Sequence, residues 1–72
     1  MESITQPQFN NLLKGQVDLT LASHVQADIN FIKTILLTQQ GDEYFVEFID
    51  LSELCEEEIS ENKSRGTLVT IS

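Results

Sequence analysis

The chain has 72 residues, with 12 acidic and 4 basic side chains and a formal charge of -8. A length of this order allows one domain, and such a fold buries only about 60% of the surface its unfolded chain exposes, so its stability margin is thin. The charge argues against direct binding to nucleic acid, whose affinity rests on lysine and arginine at phosphates, and against anionic membrane surfaces.

Chain order starts with a strong helix signal. Thr5 and Gln8 have the spacing of a capping box, and Ile4 and Phe9 fall where a hydrophobic staple would sit. Pro7 is tolerated in a first turn, Phe9, Leu12 and Leu13 form an i, i+3, i+4 stripe, and Gly15 stands at a left-handed C-cap position. A helix is expected over residues 6 to 14. The period then changes to two: Val17, Leu19 and Leu21 alternate with Asp18 and Thr20, as in a half-buried strand. His24 follows as a turn residue.

The segment "VQADINFIKTILLT", residues 25 to 38, supports two periods. Val25, Ala27, Ile29, Phe31, Ile35 and Leu37 share one parity, while Ala27, Phe31, Ile32, Ile35 and Leu36 make a helical stripe. Its content of Ile, Thr and Phe, and the turn signal at Gln40-Gly41-Asp42, favour strand. The stretch "EYFVEFI" reads as a buried strand, so residues 29 to 49 are expected to form an antiparallel hairpin. Core packing accounts for most of the aromatic set, with Tyr44 and Phe45 on opposite strand faces. Asp50 and Glu53 again have capping-box spacing, and Leu51, Leu54, Cys55 and Ile59 recur at helical intervals, which suggests an acidic helix or loop. "TLVTIS" closes the chain as a last strand at a sheet edge, with Thr67 and Val69 as exposed positions. The expected architecture is a single α+β domain: an N-terminal helix packed on a three- or four-stranded antiparallel sheet, with the acidic segment before the last strand.

Chemistry-bearing patterns are sparse. Cys55 and His24 are too few for a disulfide staple or structural zinc. Acidic neighbours oppose a reactive thiolate, so Cys55 is expected to face the core as a small apolar residue. No P-loop, GxGxxG, GxSxG or HExxH pattern occurs, and "DLSELCEEEISE" has neither the glycine nor the alternating ligands of a calcium loop. No catalytic residue, metal ligand or cofactor site is assigned. A free thiol suits a reducing interior, and "MESITQPQFNN" lacks the charged and apolar regions of a signal peptide, so a cytoplasmic location is expected.

The strongest feature is acidic. Asp42, Glu43, Glu47, Asp50, Glu53, Glu56, Glu57, Glu58 and Glu61 fall in one stretch without a basic residue, while Lys14, Lys33, Lys63 and Arg65 all lie outside it. Such a stretch is either a solvated face or a surface that steers and pairs with a basic partner. The partner-binding candidates are Asp50, Glu53, Glu56, Glu57, Glu58 and Glu61. In size and charge the chain resembles small phage anti-defence proteins, which implies an acidic, non-enzymatic inhibitor occupying the nucleic-acid-binding surface of a basic protein. Separately, "GDEYFVEFIDLSE" is similar to the strand motif of antitoxins of the HicB type, with Ile49 where that motif has proline. That resemblance implies a scaffolding or neutralising partner that binds through a sheet edge or apolar face. A homodimer through the last strand is the third arrangement the sequence allows.

Overall fold

A computed structural model of the protein describes residues 1–71. It holds four strands, β1 (Glu2–Ile4), β2 (Thr34–Gln40), β3 (Glu43–Phe48) and β4 (Thr67–Thr70). Three helices accompany them, α1 (Gln6–Leu13), α2 (Ser23–Ile32) and α3 (Glu56–Arg65), with a 3-10 turn, η1 (Leu51–Glu53), between β3 and α3. The sheet is fully antiparallel in the order β1-β3-β2-β4. The α+β architecture expected from the sequence is therefore the one found, though its elements are not all the expected ones.

Helix α1 forms for the reasons its sequence advertises. The Thr5 side chain accepts from the Gln8 amide at 3.3 Å, and the Gln8 side chain accepts from the Thr5 amide at 2.8 Å, satisfying two donors that a helix start would otherwise orphan. Gly15 takes φ +77 just past the helix, a conformation that costs an L side chain dearly.

The expected strand at residues 17–21 is instead a compact turn. Asp18 Oδ1 accepts from the Thr20 amide at 2.8 Å and the Thr20 hydroxyl at 2.6 Å, while Oδ2 accepts from Asn11 at 2.8 Å. These local bonds offer the backbone an alternative to sheet pairing. The alternation is lost in burial as well: Leu21 is in the core and Val17 packs against it, but Leu19, of the same parity, is exposed.

The strand expected over residues 25–38 divides in two. Residues up to Ile32 form α2, whose buried stripe is Val25 and Ile29, and β2 begins at Thr34. His24 lies in the first turn of α2 rather than between strands, 3.3 Å from a Glu2 carboxylate oxygen of β1. Lys33 makes the junction with a left-handed φ of 67, its amide donating to the Ile29 carbonyl at 2.8 Å. The helical register leaves Phe31 89% exposed, so it is not a core aromatic.

The hairpin forms at the expected turn, but its second strand is half-buried rather than buried, with Val46 alone of β3 fully enclosed. Gln40 pairs with Glu43 across a two-residue loop, and Gly41 at φ +61 supplies the positive angle that a type II′ turn needs at its first central residue. The first strand of the sheet, β1, had no sequence signal; it adds to the far side of β3, pairing Glu2 with Val46 and Ile4 with Tyr44.

Four consecutive buried residues, Thr34 to Leu37, mark β2 as covered on both faces. Ile35 and Leu37 belong to the main core with Leu12, Leu21, Val25, Ile29, Val46 and Ile71, under α1 and α2. Val69 packs against this core and is half-buried, which corrects its expected exposure. Leu36 points the other way, toward the face that α3 covers over β2 and β4. Gly66 permits that close approach: a Cβ there would lie 2.3 Å from the Leu37 carbonyl oxygen.

Candidate functional site

Two elements carry the six candidate carboxylates. Asp50 caps η1, its Oδ1 accepting from the Ser52 amide at 3.1 Å and the Ser52 hydroxyl at 2.6 Å, and Glu53 ends that turn. The longer helix does not start at Asp50, as the capping-box spacing suggested, but at Glu56 with Cys55 as its N-cap. Glu58 Oε1 accepts from the Cys55 amide at 3.5 Å and from its thiol at 3.3 Å. Cys55 is thus an exposed capping residue, not the core-facing one expected.

Glu56, Glu57 and Glu58 fill the first turn of α3, and Lys63 and Arg65 its last turn. Acids at a helix N-terminus and bases at its C-terminus complement the macrodipole, each by roughly 0.3–1 kcal/mol at exposed sites. Part of the negative run therefore stabilises the helix that carries it. All six candidates are exposed and occupy one continuous segment, from Asp50 through η1 to Glu61. Their carboxylates are strung along the chain; among the described residues, no group of three His, Cys, Asp or Glu side chains gathers as metal ligands would.

The acidic stretch also meets a base that is distant in sequence. The Arg65 guanidinium donates to Glu47 at 3.2 Å and to Asn62 at 2.7 Å. Both partners of the ion pair are substantially exposed, so its net worth is about 0–1 kcal/mol.

Beneath η1 lies a feature with no sequence signal, an open cleft of about 350 Å³. Its apolar lining comes from Ile32 at the end of α2, Phe48 and Ile49 at the end of β3, and Leu54. Glu47, Asp50, Glu53 and Asn62 line the remainder. Two of these, Asp50 and Glu53, are among the predicted partner-binding residues; the other four candidates lie along α3 outside the cleft. A second cleft, of about 270 Å³, is lined by Met1, Thr38, Gln39, Gln40, Glu47 and Arg65 and shares Glu47 with the first. No described helix is long and apolar enough to cross a membrane.

The chain matches no protein-family model, no curated protein and no solved structure.

Proposed function

We propose that the protein is a non-enzymatic inhibitor that occupies a basic, nucleic-acid-binding surface of a partner protein through η1 and the N-terminal half of α3. It acts in the cytoplasm and binds neither nucleic acid nor membrane itself. One observation carries this reading: six exposed carboxylates, Asp50, Glu53, Glu56, Glu57, Glu58 and Glu61, share a continuous surface segment whose bases are held at the far end of the helix. At a rise of about 1.5 Å per residue, the four glutamates of α3 fall within six residues, one charge per roughly 2.3 Å of axis. Duplex DNA carries one per about 1.7 Å, so a groove shaped for phosphates meets a linear charge density of the same order, though lower. Such a surface accelerates encounter with a basic partner and discriminates against acidic ones.

The test is capture from a host lysate across a salt series, comparing the native protein with a Glu56→Gln/Glu57→Gln/Glu61→Gln variant. Glu58 is left in place because its carboxylate caps α3. The expected result is a basic nucleic-acid-binding protein held by the native form alone and displaced by duplex DNA. Equal retention by both forms, with the same salt dependence, would sink the reading.

A second reading, antitoxin-like or scaffolding association through a sheet edge, is favoured by β4. The Ile71 amide donates to the Lys33 carbonyl at 2.7 Å, so Val69 and Thr67 also turn their backbone toward β2, while Leu68 and Thr70 turn theirs outward. That edge carries no charge and no proline, and it is open to a partner strand or to a second copy of the chain. Thr70→Pro removes an outward donor only. Loss of association in this variant, with the glutamine variant unaffected, is the expected result under the edge reading.

A further inference from the structure

We infer that the cleft beneath η1 seats one arginine side chain of the partner, with its alkyl stem against Phe48, Ile49 and Leu54 and its guanidinium at Asp50 and Glu53. This rests on the acidic-surface reading and names the anchor within it.

The lining divides as an arginine does. Ile32, Phe48, Ile49 and Leu54 offer an apolar floor for three methylenes. Three carboxylates line the same space, and while Glu47 is paired with Arg65, no described base pairs with Asp50 or Glu53. Glu47 is bound to Arg65, and Asp50 has one oxygen engaged by Ser52, which leaves Asp50 Oδ2 and the Glu53 carboxylate without a described partner. The rim already handles this chemistry: Glu47 and Asn62, both lining residues, accept from the Arg65 guanidinium at 3.2 and 2.7 Å. The choice of arginine over lysine follows from shape. Two acceptor groups three residues apart, at the N-cap and the last residue of η1, suit a planar fork of donors better than a compact, strongly hydrated ammonium. A cleft of about 350 Å³ accommodates a side chain and not a folded segment.

The experiment is an amide and side-chain NMR titration of the whole chain with acetyl-arginine amide, set beside acetyl-lysine amide and the uncharged acetyl-citrulline amide. Saturable shifts confined to Phe48, Ile49, Leu54 and Asn62 are expected with arginine, at millimolar affinity, and none with citrulline. Glu53→Gln should weaken binding by about tenfold, the value of one charge-assisted contact, while leaving the fold unchanged. The Glu56→Gln/Glu57→Gln/Glu61→Gln variant should bind the probe as the native chain does. Shifts spread along α3, equal binding of lysine or citrulline, or indifference to Glu53→Gln would each overturn the assignment. Because the probe is a single amino-acid derivative, its binding stands or falls separately from capture of a partner by α3.

Discussion

Ile29 and Phe31 provide the sharpest test of how this fold uses its sequence. Two residues apart, they would share one face of a strand, and both would be core. On α2 they part: Ile29 is fully buried beneath the helix and Phe31 is 89% exposed. Ile→Ala in a close-packed core costs about 2–5 kcal/mol. A chain of 72 residues has only about 4–11 kcal/mol of total stability, so that change risks unfolding it outright. Ile29→Val is the measurable version, expected to cost about 0.5–1.5 kcal/mol. For a domain this small, each kcal/mol moves the melting temperature by about 4–8 °C, giving a loss of roughly 2–12 °C. Phe31→Ser removes a larger side chain, yet it touches water and the two residues have similar helix propensity, so a change within about 0.5 kcal/mol is expected. Urea unfolding followed by circular dichroism gives both values. Equal losses, or a greater loss at Phe31, would refute the helical assignment of residues 23–32 and with it the division of layers built on α2.

Gly66→Ala should cost about 1–3 kcal/mol or more, because its Cβ would press on the Leu37 carbonyl of a strand paired on both sides; the urea midpoint should fall well below that of the native chain. Lys33→Gly should hold or raise stability by up to about 1 kcal/mol, since Lys33 sits at φ 67 where glycine carries no Cβ penalty; a clear loss by thermal melting would mean that the lysine side chain stabilises the junction. Asp18 is held below its usual carboxyl value of 3.8, first by the Thr20 hydroxyl, then by the Thr20 amide and Asn11, against a smaller burial effect. A depressed folded value means stabilisation present above the unfolded value and lost as pH falls through the folded one. Asp18→Asn should therefore be less stable than the native chain at neutral pH, with the gap closing in strong acid; a gap independent of pH would count against this.

The elements that could be read from the sequence are those whose ends are marked by residue type. Thr5, Gln8 and Gly15 bracket α1, and Gly41 marks the hairpin turn, because each position demands a particular side chain or none. Helix α2 has neither marker. Its N-cap is Ala22, with no side-chain bond, and its left-handed end residue is a lysine. With no punctuation between residues 22 and 34, an Ile- and Phe-containing run offers two periods, and the tertiary contacts of Val25 and Ile29 choose between them. The 17–21 alternation did not carry over into burial, since Asp18 diverted the backbone into a turn that leaves Leu19 exposed beside the buried Leu21. In the candidate site, exposure of the acidic run was legible and its helical register was not, since Cys55 is an unusual N-cap and Asp50 presented the commoner one. The cleft drew its lining from the ends of α2 and β3, from η1 and from Asn62 of α3, which no local pattern brings together.

The structure sorts the carboxylates by what the fold gains from them. Glu47 bonds Arg65, Asp50 bonds Ser52 and Glu58 bonds Cys55, so each has a local use that substitution would remove. The carboxylates of Glu53, Glu56, Glu57 and Glu61 accept no described hydrogen bond. For Glu56 and Glu57 the helix dipole still offers a gain. Glu61 lies beyond the first turn, one helical turn from Glu57 and Glu58, where like charges cost about 0.2–0.5 kcal/mol a pair, and one turn before Arg65, which returns about the amount of one pair. Its net structural value is therefore zero or slightly unfavourable, and Glu53 has no helix dipole to serve. Charge present where the fold gains nothing is what a binding surface would carry, and Glu53 and Glu61 are accordingly the positions where substitution should change association without changing stability.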